Sequence, residues 1–186
     1  VQHIITSATC VARVYRSGMH GVALYLDFDG VLMDADVYRV PGRGIVVRRG
    51  TLFEWTPVLV ESLQPWPDVR IVLSTSWVLQ LGYERSREYL PRDLRERVVG
   101  ATFHRREHGP TPELRRLWAQ SDRGQQIAAD VARRLPQAWL AIDDAADEFD
   151  VQQREWLVPC DPRRGLSDRA TQATLTAMLE RVHEGL

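Results

Sequence analysis

Asp27 and Asp29 sit inside the stretch ALYLDFDGVL (residues 23–32), two carboxylates separated by one phenylalanine at the end of an apolar run. A buried carboxylate without a counter-charge is costly, so the pair calls for a cation, a dense hydrogen-bond network or water. Two further apolar runs also end in polar groups. DVRIVLSTSW (68–77) ends in Ser74, Thr75 and Ser76, and AWLAIDDAADEFD (138–150) leads into Asp143 and Asp144. Arg123 opens the helical pattern that precedes the second of these. In open parallel sheets, ligands bind outside the carboxyl ends of the strands, so these scattered groups are expected to converge. Carboxylates from two strands plus solvent make an oxygen-rich site of the kind Mg²⁺ prefers. A hydroxyl and a guanidinium beside it supply what a phosphoryl group needs.

The elements that must position these groups alternate along the chain. Val22 to Leu26 is continuously apolar, as a central parallel strand covered on both faces should be. VYRVPGRGIVVRR (37–49) places two β-prone runs around a Pro-Gly-Arg-Gly turn and predicts a hairpin. Thr56-Pro57 reads as an N-cap and first helical residue, opening a helix through about Leu63. After the strand at 68–77 comes a polar helical region over 83–97 with a break near Pro91, then a strand over 98–103. Residues 103–118 read as a basic, proline-containing connection. Ile127, Ala128, Val131, Ala132 and Leu135 recur at helical spacing within 121–135. The strand from 138 is followed by another over 155–159, and Ser167 is expected to cap a last helix carrying Leu175, Met178, Leu179 and Val182. Strands alternating with helices predict an α/β fold with a doubly wound parallel sheet.

Composition narrows the class. The 186 residues, 44% of them hydrophobic, suit one domain over 21–186 behind an N-terminal extension at 1–20. A net charge of −1 gives no global basic field for nucleic acid or membrane. All 24 basic residues are Arg, so every cationic role falls to a planar guanidinium. Cys10 and Cys160 are too far apart for a metal-binding spacing, which predicts a reducing, cytoplasmic setting. No apolar run reaches membrane-spanning length, and Arg13 and Arg16 follow the apolar part of the N-terminus where a secretory signal would have them precede it.

On these residues the chain resembles the haloacid dehalogenase (HAD) superfamily of phosphohydrolases. LDFDGV, a hydroxyl after an apolar strand, a basic residue on a helix and an Asp pair after another strand stand in that family's order over roughly residues 22–160. The resemblance implies a Rossmann-like sheet with a hairpin flap after the first strand, which the 37–49 hairpin matches. It implies that Asp27 is the nucleophile, forming an aspartyl-phosphate, and that Asp29 protonates the leaving oxygen and then activates water. Gly30 would let the backbone turn after the pair. Mg²⁺ would be held by the Asp27 carboxylate, the Asp29 backbone carbonyl and the 143–144 pair, with Asp144 in direct contact and Asp143 behind it. Thr75 would bond a phosphoryl oxygen, with Ser74 and Ser76 leaving the register open by one residue. Arg123 stands where Lys is commoner, with Arg105, Arg115 and Arg116 as alternatives, and Glu148 or Asp147 would orient the metal shell or Arg123.

The stretches between these motifs leave no room for an inserted cap, so the resemblance is to a capless member. LSTSW, LAIDD and DPRRGLSD (161–168) are similar to the HAD domains of Swiss Army Knife RNA-repair proteins, thought to remove terminal phosphates. The expected substrate is then a phosphorylated nucleic-acid end, a nucleotide or another large phosphorylated molecule. Arg39, Arg43, Arg48 and Arg49 on the flap, with Arg105 and Arg106, would contact a polynucleotide backbone, or else form an arginine-rich solvated surface. A rival class is a non-catalytic module that senses phosphate or a partner. Asp29, needed only for turnover, argues against it. Dehalogenases lack the second Asp, and phosphorelay receivers carry their acidic pair before the acceptor. His104 and His108 are read as a solvated or substrate-facing loop, and Trp55, Trp77, Trp118 and Trp139 as packing.

Overall fold

The computed structural model describes residues 19–42 and 44–186. Five parallel strands form its sheet: β1 (Val22–Leu26), β4 (Arg70–Leu73), β5 (Val98–Ala101), β6 (Ala138–Asp143) and β7 (Leu157–Pro159), in the order β5-β4-β1-β6-β7. The most apolar strand is central, and side-chain alternation splits its residues between two faces. Val22, Leu24 and Leu26 face helices α1 (Thr56–Leu63) and α8 (Arg169–Glu184), which contribute Leu59, Leu63, Leu175, Leu179 and Val182. Ala23 and Tyr25 face Ile127 and Val131 of α7 (Arg123–Arg134). The result is the doubly wound α/β architecture.

Strand register gathers the polar strand ends. Leu26 pairs with Leu73 on one side and with Ile142 on the other. Asp27, Ser74 and Asp143 are therefore the next residues beyond one shared rung. The ladder continues through that step: the Asp27 amide donates to the Ile142 carbonyl at 3.2 Å, and the Ser74 amide to the Leu26 carbonyl at 2.8 Å.

Between β1 and β4 lie only the hairpin, β2 (Val37–Val40) antiparallel to β3 (Gly44–Val47), and α1. Between β4 and α7 lie α2 (Ser76–Leu81), α3 (Tyr83–Glu88), α4 (Arg92–Arg95), β5, α5 (Arg105–His108) and α6 (Pro112–Ala119). Among the described residues neither stretch holds a separate cap domain.

Several local expectations change. The connection at 103–118 contains two helices, because Thr111 accepts the Leu114 amide and Pro112 follows in the first turn. Thr56 is not an N-cap; it is already helical, and its hydroxyl donates back to the Phe53 carbonyl. Ser167 lies in a 3₁₀ turn with its hydroxyl on the Arg164 carbonyl, and Asp168 takes the capping position of α8. Residues 153–156 form another 3₁₀ turn, which shortens the last strand to 157–159. Of the proposed extension at 1–20, residues 1–18, including Cys10, lie outside the described residues. Cys160 is buried and free, and no described helix is long and apolar enough to cross a membrane.

Candidate active site

Beyond β1 the chain turns back on itself at once, with the Leu32 amide donating to the Phe28 carbonyl at 2.8 Å. Gly30 makes this possible at φ +69°, and a Cβ there would sit 2.3 Å from Asp144 Oδ2. The glycine thus serves two ends: the turn, and the close approach of the Asp144 carboxylate. Carboxylate oxygens of Asp27, Asp143 and Asp144 all lie within 4.8 Å of one another, a spacing suited to a shared cation. The Asp29 side chain lies outside that trio; only its backbone carbonyl remains a candidate ligand.

The Asp27 carboxylate accepts two hydrogen bonds. The Phe28 amide donates to its Oδ1 at 2.8 Å, and Arg123 Nη2 donates to its Oδ2 at 3.1 Å. The Thr75 hydroxyl also favours its ionised form, although burial prevails and raises the Asp27 pKa. Thr75 Oγ1 accepts the Trp77 amide at 3.4 Å. Ser74 Oγ is buried without a hydrogen-bond partner.

Arg123 comes from the first turn of α7, and its amide donates to Glu148 at 2.9 Å. That contact, with Gln153 Nε2 on the Gly124 carbonyl at 3.0 Å, ties the helix start to the turn after β6. Glu148, not Asp147, is the acidic residue on Arg123. The guanidinium lies 3.0 Å from Asp143 Oδ2, but the N–H is not aimed along the contact, so both atoms lack a hydrogen bond. Burial disfavours charge on Arg123, yet Asp27 and then Asp143 outweigh it and raise its pKa.

The other carboxyls are also shifted upward. Burial first, and the charge of Asp27 second, push Asp143 up to about 8 and Asp144 to about 6. The same two causes bring Asp29 to about 7, with Trp77 pulling the other way. Trp77 Nε1 lies 3.0 Å from both oxygens of Asp29. The sequence alone reads this tryptophan as packing. Its polar contact joins residues 48 positions apart and leaves no local pattern to read.

Other candidates stand apart from this cluster. Arg115 Nε donates to the Gly109 carbonyl at 3.2 Å, and Arg105 and Arg106 are exposed on α5. His104 is not in a solvated loop. Its Nε2 is 3.3 Å from buried Asp130 Oδ1, a carboxylate that also takes Tyr25 Oη at 3.0 Å and Arg134 Nε at 2.5 Å. On the flap, Arg39, Arg48 and Arg49 are exposed, Arg48 pairs with Asp36 at 2.6 Å, and Arg43 lies outside the described residues.

A Rossmann-like parallel sheet with an Asp-x-Asp-Gly turn, a hydroxyl, a helix-borne cation and an acidic pair at one edge defines a HAD-superfamily domain. Residues 23–171 match the family model described as the HAD domain in Swiss Army Knife RNA repair proteins, and the chain belongs to that family. The membership supports a phosphatase-type hydrolase. No curated protein and no solved structure gave a match.

Proposed function

We propose that the protein is a Mg²⁺-dependent phosphomonoester hydrolase that works through an aspartyl-phosphate on Asp27. The observation that carries this reading is the trio of buried Asp27, buried Asp143 and half-buried Asp144, with Arg123 reaching the two buried members. Three carboxyls so close and so poorly solvated repel one another, and a divalent cation removes that cost. Asp27 and Asp144 would hold the ion with the Asp29 carbonyl, and Asp143 would stand behind them. When bound, Mg²⁺ neutralises phosphoryl oxygens and lets one anion approach another.

The chain's own groups perform the transfer. Arg123 and Thr75 orient the phosphoryl group, and an Asp27 oxygen attacks phosphorus as the bond to the leaving oxygen breaks. Asp29 gives its proton to that oxygen. In the second half it takes a proton from water as the water oxygen bonds phosphorus and Asp27 departs. Burial holds Asp29 at about 7, near the value such a dual role requires.

The substrate we favour is a terminal phosphate on a nucleic acid. An edge with no cap leaves room for a macromolecular end, and exposed Arg39, Arg48 and Arg49 with Tyr38 lie on the adjoining flap. The test compares phosphate release from an aryl phosphate by the wild type and by Asp27→Asn, with Mg²⁺. Release by the wild type alone is expected; equal release by both contradicts the covalent route.

A further inference from the structure

Trp77 touches two candidate site residues through different atoms. Its backbone amide donates to Thr75 Oγ1 at 3.4 Å, and its indole N–H meets both carboxylate oxygens of Asp29 at 3.0 Å. The side chain is 2% exposed. Phe28, Phe53 and Tyr89 meet it edge to face, with centroids 5.7, 5.4 and 5.0 Å away and planes inclined at 76°, 79° and 84°. Phe53 in turn stacks on Tyr89 at 5.5 Å. An indole fixed by three rings cannot swing away from its acceptor.

Resting on the phosphatase reading, we propose that Trp77 is the positioning residue for Asp29, holding its carboxyl plane so that the proton is delivered to the leaving oxygen. An indole nitrogen only donates, so it is compatible with both states of the cycle. When Asp29 carries the proton, the N–H bonds the bare oxygen; when Asp29 is ionised, both oxygens share it. The carboxyl therefore keeps one orientation while the leaving oxygen takes the proton and water later returns one. The packing around Trp77 fixes the donor, and the donor fixes the acid.

A positioned acid matters most where the leaving group is a poor one. An alkoxide needs its proton as the P–O bond breaks, whereas a nitrophenolate departs almost without help. Trp77→Phe keeps a buried ring and removes the N–H. The expected result is a fall in kcat/KM, which reports the transfer to Asp27, of about tenfold or more on an alkyl phosphate such as a 3′-phosphorylated oligonucleotide. On 4-nitrophenyl phosphate the fall should stay below about threefold. Should the phenylalanine variant unfold, β-(3-benzothienyl)alanine at 77 retains the indole's shape without the donor and should show the same selectivity. Equal losses on both substrates, or no loss on either, would overturn the proposal. Activity surviving in Asp27→Asn would instead remove the phosphatase mechanism beneath it, so the two failures are distinguishable.

Discussion

Arg123 and Asp27, 96 positions apart in the chain, meet at 3.1 Å, and the same guanidinium lies 3.0 Å from Asp143. The guanidinium hydrogen-bonds Asp27 through Nη2 and meets Asp143 by charge, from a rigid planar fork that a lysine ammonium does not reproduce. Arg123→Lys is expected to keep a fraction of the activity and Arg123→Ala to lose about 100-fold or more. Because Arg123→Ala leaves buried carboxylates unpaired, unfolding without Mg²⁺ should show a loss of about 3 kcal/mol. Unchanged kcat in the alanine variant would remove Arg123 from the site.

Gly30→Ala tests the turn that admits Asp144. At φ +69° any side chain is strained by about 1–2 kcal/mol. The added Cβ would also fall 2.3 Å from Asp144 Oδ2, so that carboxylate must move. Expected is a folded protein that needs about tenfold more Mg²⁺ for half-maximal rate. An unaltered Mg²⁺ requirement would mean that Asp144 is not a ligand.

Acid dependence follows from the raised carboxyls. Asp29, Asp143 and Asp144 titrate at about 7, 8 and 6 in the folded protein, above an ordinary aspartate near 4. Without metal, the folded state binds more protons than the unfolded one in this window. Stability is therefore retained at low pH and lost as pH rises from about 4 towards 8. Mg²⁺ displaces those protons, so its stabilising effect should grow over the same interval. Thermal melts at several pH values, with Mg²⁺ or with a chelator, measure both trends. A metal-free protein that gains stability with rising pH contradicts the assignment.

How much of this was legible in the sequence depends on the range of the signal. LDFDGV and the alternation of apolar strands with helical patterns are local, and they led directly to the parallel sheet. Convergence of the strand ends was deducible in outline, but the shared rung at Leu26 appears only in the register. Polar contacts across the fold left no trace. The bond from Trp77 to Asp29 and the seat of His104 on Asp130 connect residues that nothing in their own neighbourhoods singles out. Residues 103–118 looked like a connection because proline and arginine dominate them, although Thr111-Pro112 is a helix start.

Recognition of a nucleic-acid end predicts a length and salt effect. Arg39→Ala combined with Arg49→Ala should weaken kcat/KM on 3′- or 5′-phosphorylated oligonucleotides by about tenfold at low salt and leave 4-nitrophenyl phosphate unaffected. The difference should shrink as salt rises. Indifference of the wild type to polymer length, across oligonucleotides, mononucleotides and phosphopeptides, would rule out the nucleic-acid end.

Transfer of the phosphoryl group onto residue 27 can be observed directly. Acid-quenching the protein during turnover with Mg²⁺, then digesting it and analysing the peptides by mass spectrometry, looks for that adduct directly. A hydroxylamine-labile phosphoryl group is expected on the peptide bearing Asp27 and is expected to be absent in Asp27→Asn. A phosphoryl group trapped on any other residue, or rapid turnover with none trapped at all, would contradict transfer to Asp27.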